Sequence, residues 1–463
     1  MITKQQAYDI LNEALLYGGD FSEIFIENNR KNSISMINGK TDKANSGEDF
    51  GLGLRVFSGD RVIYSYTNDL SFDNLMKLAK EASMAADKND KIQICDFVEK
   101  DYMGELNKHK AKIIPSDVDR KIIVDMMSEA SSACFNYDKL ITQTSIGYSD
   151  SIQDVIIANS RGLWAKDRRI RTRAFVTAVA SSTTEKQRGY FGPGALKGFE
   201  FYDEIDLNEI AREAANSAVT MLKADFCPAG KMPVVIDNGF GGVIFHEACG
   251  HGLEAAAISK NASVFAGKMG QKIANEKVTA IDDGTIPNEW GSINIDDEGQ
   301  EGKKNVLIEN GILKSYMVDE FNGKKIGLKS TGSSRRQSYK FAPVSRMTNT
   351  YIAPGNDKAE DIISSTDYGI YAKYMGGGSV NPTTGEFNFA VSEAYIIRNG
   401  KIAEPVRGAT VIGKGSEVLM NIDMVSDNLR LAQGMCGASS GSIPVNVGQP
   451  MIRVNNITVG GRG

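Results

Sequence analysis

The sequence has no apolar run of the roughly 18–20 residues that a membrane-spanning helix needs. Its first residues, MITKQQAYDILNEALLYGGD, place Lys4 and Asp9 inside the apolar stretch and show no small-residue cleavage pattern, so no signal peptide is expected and the cytoplasm is the expected location. Cysteine is scarce: Cys95, Cys134, Cys227, Cys249 and Cys436 are odd in number and widely spread, which excludes a disulfide framework and leaves reduced thiols. Positive charge is not in excess. With 53 Lys and Arg against 58 Asp and Glu, the net charge of −5 disfavours general binding to nucleic acid or anionic membranes. Scarcest of the chemically useful residues is histidine, at three in 463 positions, and two of the three, His246 and His251, stand five residues apart.

What is present is an ordinary globular composition, 41% hydrophobic and 24% charged, in a chain long enough for two or three domains. Glycine is uneven: residues 1–228 hold 14 and residues 229–463 hold 33. Together with the Cys227-Pro228-Ala229-Gly230 punctuation, this predicts a division there. The fold class expected is α+β, with an N-terminal region of helices and antiparallel sheet over 1–228 and a strand-rich C-terminal domain over 229–463. Two similar lobes dividing near residue 110 are one option for the first region.

Apolar spacing predicts a helix over 3–17 behind a Thr3 cap, and Ser71 is expected to cap another. Alternating residues predict strands, joined by turns at Asn38-Gly39 and Ser58-Gly59-Asp60. Ser116 is expected to open a further helix, strands follow near 139–158 and 163–181, and Asp206 opens the next helix. A helix is also expected from Gly239 to about Ala257. Arg169, Arg171 and Arg173 alternate along one strand and predict a charged sheet face that discourages edge aggregation, a better reading than nucleic-acid binding. Asp282-Asp283 and Asp296-Asp297 lack EF-hand spacing and read as turns. His109 reads as a surface residue.

The segment His246-Glu247-Ala248-Cys249-Gly250-His251 has the form HExxxH, a match expected by chance roughly 0.002 times in a chain of this composition. Neutral imidazoles are zinc ligands, and an adjacent carboxylate can take a proton from water. At about 100° per residue, with His246 at 0°, Glu247 lies near 100°, His251 near 140°, Glu254 near 80° and Cys249 near 300°. One ion can therefore meet both rings and Glu247, whereas Cys249 faces away and reads as a packed thiol. An ideal helix holds residues i and i+5 too far round for easy convergence, which predicts a widened, irregular turn at 249–252, eased by Gly250 and Gly252. A third ligand is still needed. Glu254 shares the arc but can equally orient a ligand ring; Cys436, between Gly434 and Gly437, is preferred because a loop cysteine among glycines meets little obstruction.

HEACGHGLEA resembles the zinc motif of the TldD/PmbA family of cytosolic metallopeptidases. Further blocks that resemble the family are Ser334–Tyr339, Ser345–Thr350, Ser392–Tyr395, Arg407–Thr410, Gln433–Gly437, Val447–Pro450 and Thr458–Gly461. Of the family's two types, the chain resembles the metal-bearing TldD type. The resemblance implies that His246, His251 and Cys436 bind zinc (Zn2+) and that Glu247 is the general base. It implies substrates that are unfolded peptides, including peptide-antibiotic precursors and antitoxins. It also implies a dimer, either of two copies or with a PmbA (TldE) subunit that lacks the ligands, while the net charge predicts no nucleic-acid or membrane partner. The alternative is a non-catalytic peptide-binding subunit with a structural metal. Arg335 and Arg336 can hold a substrate carboxylate or serve as structural ion pairs.

Overall fold

A computed structural model describes residues 2–88, 92–381 and 384–461. The N-terminal elements are α1 (Lys4–Glu13), β1 (Phe21–Ile37), β2 (Lys40–Ser58), β3 (Arg61–Thr67), α2 (Phe72–Met84), β4 (Val98–Tyr102), α3 (Arg120–Tyr137), β5 (Ile141–Asn159), β6 (Leu163–Ser181), β7 (Lys186–Phe191) and α4 (Leu207–Lys223). Thr3 caps α1 through a reciprocal pair with Gln6, as the sequence predicts. Asp206 caps α4 by accepting from the Asn208 and Glu209 amides. Two expectations change. Ser71 precedes α2 without donating or accepting a side-chain cap bond. Ser116 lies in a short 3₁₀ turn begun by Pro115, and Asp119 caps α3 instead.

β1 and β2 form a long hairpin across Asn38-Gly39, both with positive φ (51° and 73°), the turn geometry that follows sheet twist. β5 and β6 form a second hairpin, and β1 pairs antiparallel with β5, so the two helix–hairpin–helix units share one sheet in the order β3-β2-β1-β5-β6-β4.

The pleat divides the residues of this sheet by parity. Even positions such as Ile24, Ile26, Leu52, Leu54 and Val56 meet α1 and α2, while Ile34, Met36, Ile146 and Val176 meet α3 and α4. Odd positions face the C-terminal half, where Phe25, Val155 and Ile157 pack against Ile295 and Tyr339. The same face carries buried ion pairs. Arg55 bridges Glu23 and Glu298 at 2.8 Å each, and Arg169 meets Asp167 at 2.8 Å and Asp297 at 2.7 Å. Two of the three arginines predicted to form a charged, aggregation-resistant face are covered: Arg169 and Arg171 are buried beneath residues 290–297, while Arg173 is half-buried. His109 is likewise buried, accepting at Nδ1 from the Asn288 amide at 3.0 Å, and not a surface residue. Alternation gives each side chain its face but not what covers that face.

Beyond Lys223 the described residues build two large sheets and a two-stranded ribbon of Ser334–Arg335 with Val344–Ser345. In the first, the strands Gly230–Ile236, Ile452–Gly460, Thr410–Lys414, Glu386–Arg398 and Tyr368–Val380 pair in succession, and the last returns to the first. That closed ring is a small barrel, filled by Val234, Ile236, Ile370, Phe387, Phe389, Val454 and Val459. The second sheet runs Ile312–Leu313, Lys304–Glu309, Ala280–Asp283, Asn349–Ile352, Gly441–Gln449, Arg430–Ala438. Asp282 and Asp283 are therefore strand residues, not a turn; Asp282 accepts from the Thr348 amide and from the Thr348 and Thr350 hydroxyls. Asp296 does sit at a turn, closed by Gly299 N–H to its carbonyl. No helix among the described residues is long and apolar enough to cross a membrane.

Candidate metal centre

Two segments from opposite ends of the C-terminal half meet at the site. The first follows the strand Gly230–Ile236. Gly239 takes φ 76° and the chain turns into the short helix Val243–Ala248. A side chain on Gly242 would come within 2.5 Å of the Gly448 backbone, so glycine there lets this helix lie directly on the strand Gly441–Gln449. That strand is the second arm of the hairpin whose first arm, Arg430–Ala438, carries Cys436.

The single helix expected over 239–257 is broken. It ends at Ala248; Cys249 leaves the helical basin (φ −129°, ψ −47°) and a 3₁₀ turn covers Gly250–Leu253. The irregularity falls where the HExxxH spacing requires it, as a break and a tightening instead of a widened turn. Cys249 turns into the core, where burial drives its thiol pKa strongly up and leaves it an inert packing group. Gly250 has a steric reason beyond backbone freedom, since a Cβ there would stand 2.3 Å from the Met347 sulfur.

The break brings the two imidazoles together at 85° between ring planes, with centroids 5.2 Å apart. Cys436 Sγ lies 3.2 Å from His246 Nε2 and 3.2 Å from His251 Nε2. One donor atom from each of the three falls within 4.8 Å of the others. Zinc–nitrogen bonds of about 2.0–2.1 Å and zinc–sulfur bonds of about 2.3 Å at tetrahedral angles set sulfur and nitrogen about 3.6 Å apart, so the two sulfur–nitrogen separations need an outward adjustment of only a few tenths of an ångström to match a bound ion. Electrostatics agree with a cation site. Burial opposes a charged His251, but Glu254 and Cys436 outweigh it and raise its pKa well above the ordinary imidazole value; burial and the positive His251 and Arg346 push His246 well below that value.

Glu254 accepts from His251 Nδ1 at 3.1 Å, which turns Nε2 toward the sulfur. It acts on the ring and not as the third donor, the role left open between it and Cys436. Carboxylate support of this kind is the usual partner of a metal-binding imidazole. His246 Nδ1 has no hydrogen-bond partner among the described residues. Glu247 Oε2 lies 3.7 Å from His251 Nε2 with its side chain 30% exposed, and burial raises its pKa above the ordinary carboxyl value, making it the better proton acceptor.

Arg346 was not distinguished by spacing or composition. Its buried guanidinium donates to the Cys436 carbonyl at 2.6 Å, the Ser440 hydroxyl at 2.9 Å and the Gly441 carbonyl at 3.0 Å, fixing the tip of the cysteine hairpin. Its sequence signal was the Ser345–Thr350 block.

Family models match most of the chain: PmbA/TldA metallopeptidase domain 1 over 22–86, the central domain over 113–222 and the C-terminal domain over 229–461. A metalloprotease TldD homolog of Buchnera aphidicola is 36% identical over 99% of this chain and 96% of its own. A zinc metalloprotease TldD homolog of Saccharolobus solfataricus is 31% identical over 62% of each chain. Among solved structures, a Thermotoga maritima protein described as a candidate modulator of a DNA gyrase superposes with a TM-score of 0.79 at 20% identity, covering 95% of this chain and 96% of its own. TldE from Thermococcus kodakarensis gives 0.76 at 19% identity over 98% and 99%.

Proposed function

Since the chain belongs to the PmbA/TldD metallopeptidase family, we propose that it is a zinc-dependent peptidase of the TldD type that hydrolyses unfolded or small peptides in the cytoplasm. The observation that carries this is the convergence of His246, His251 and Cys436 with Glu247 beside them. In this reading those three residues hold the ion, residues 229–463 form the catalytic domain and residues 1–228 an N-terminal domain. The protein works as a dimer, with a second copy or with a TldE-type chain.

A zinc ion there supplies a Lewis acid and lowers the pKa of a bound water toward about 7. The residues of the chain do the rest. Glu254 keeps the His251 ring turned inward. Arg346 keeps Cys436 at its post. Glu247, partly exposed and raised in pKa, accepts a proton from the attacking water and returns it to the leaving amine. Incubating the purified protein with zinc and an unstructured peptide, with and without a chelator, tests the reading. Cleavage that the chelator stops and zinc restores supports it; cleavage indifferent to chelation removes it.

A further inference from the structure

Between the N-terminal sheet and the C-terminal half lies a cavity of about 630 Å³. Six cationic side chains line it, Lys31, Arg169, Arg171, Arg173, Arg335 and Arg336, against the acids Asp150 and Asp297. Two of the buried arginines there are neutralised in the ordinary way: Arg169 by Asp167 and Asp297, Arg336 by Glu23 at 2.8 Å.

Arg171 and Arg335 are not. Arg171, 6% exposed, donates Nε and Nη2 to the carbonyls of Trp290 and Ser292, both at 3.1 Å. Arg335, 4% exposed, donates Nη1 to the Met347 carbonyl at 2.7 Å. Among the described residues neither forms an ion pair. Asp297 is near, but its two oxygens are taken by Arg169 Nη1 at 2.7 Å and the Arg336 amide at 2.6 Å. Burying a cation without a paired counter-charge is costly; Asp167 and Asp297 act on Arg171, and Asp297 and Asp282 on Arg335, only at a distance. Burial, aided by the charge of Arg335, pulls Arg171 down to about 9, and burial pulls Arg335 down to about 10, so both stay charged at neutral pH. A fold that pairs Arg55, Arg169 and Arg336 closely with acids leaves these two facing a cavity with donors to spare.

The cavity borders the hairpin that carries Cys436. Ile443, which stands opposite Cys436 in the hairpin register, and Met435, its chain neighbour, both line it. Met347, whose carbonyl holds Arg335, packs its sulfur against Gly250 between the two histidines. The two arginines and the candidate metal cluster are thus linked through one hairpin and through Met347.

We propose that Arg171 and Arg335 bind the C-terminal carboxylate of a short peptide, so that the enzyme positions its cut relative to a free C-terminus. Planar guanidinium groups match a carboxylate in two-point geometry, which a neutral terminus cannot reproduce. This rests on the peptidase reading above, and the test separates the two.

Two peptides that differ only in a free carboxylate or a carboxamide at the C-terminus are compared on the zinc-loaded full chain. The free acid is expected to show a kcat/KM about tenfold or more above that of the amide. In an Arg335→Gln protein that keeps its zinc content and melting temperature, the ratio falls toward 1, while Arg335→Lys keeps part of it. Equal kcat/KM for the two peptides on the unmutated protein overturns the proposal without needing any variant to fold. If neither peptide is cut, the peptidase reading fails, and the proposal is then decided by binding alone: a dissociation constant about tenfold tighter for the acid sustains it, and equal constants overturn it.

Discussion

Cys436 Sγ lies 3.2 Å from His246 Nε2 although 190 residues separate them in sequence. Glycine at 242 and the guanidinium of Arg346 make this approach, one by letting a helix lie on a strand without a side chain between, the other by tying down the hairpin tip. The site is thus held from outside its own ligands, and each support has a measurable consequence.

Glu247→Gln removes a proton acceptor but no zinc donor. Zinc content and melting temperature should stay at the unmutated values while kcat falls by about 10²–10⁴-fold. Metal analysis beside peptide turnover checks this. Retained cleavage would take Glu247 out of the mechanism.

Glu254→Gln weakens the acceptor that orients His251. A loss of about 10–100-fold in metal affinity or activity is expected, milder than the loss on His251→Ala, where metal stoichiometry should fall toward zero. Competition against a chromogenic chelator gives both affinities. Equal losses would make Glu254 a ligand in its own right.

Arg346→Met leaves the Cys436 and Gly441 carbonyls and the Ser440 hydroxyl without their charged donor. Losing charge-assisted bonds in a buried site costs about 1.5–3 kcal/mol each at most. The expected result is a lowered melting temperature together with weaker zinc retention. A variant as stable and as metal-rich as the parent would contradict the supporting role.

His109 gives the chain a pH dependence of stability. Burial lowers its pKa from 6.5 to about 4, so the unfolded chain takes up a proton below pH 6.5 that the folded chain refuses until about 4. The stability it contributes is present above pH 6.5 and lost as the pH falls, amounting to about 2 kcal/mol at pH 5. Urea unfolding of the parent and of His109→Asn between pH 7 and 5 tests this; the variant should show the shallower decline.

Much of the site was legible because its chemistry is concentrated. In a chain with three histidines, the His246–His251 spacing singles out the candidate metal residues, and the one-residue excess over a helical turn foretells an irregularity at 249–252, though as a widened turn and not as the break and 3₁₀ tightening that form. The long hairpins were legible for the same local reason, an alternation interrupted at Asn38-Gly39 and Ser58-Gly59. What escaped is non-local. Nothing near His109 or Arg171 in sequence shows that residues 288–297 will cover them. Nothing near Arg346 shows that its guanidinium will reach Cys436. Asp282 read as a turn because acids favour turns; it is a strand residue paired with Thr350, and the hydroxyls of Thr350 and of Thr348, just before that neighbouring strand, satisfy its oxygens.

The most direct measurement is X-ray diffraction from zinc-soaked crystals at energies on either side of the zinc absorption edge. The account predicts one anomalous peak that vanishes below the edge, lying about 2.0–2.1 Å from Nε2 of both His246 and His251 and about 2.3 Å from Cys436 Sγ. No peak among those three atoms, or a zinc ion bound elsewhere while the imidazoles and the thiol keep to themselves, would contradict it.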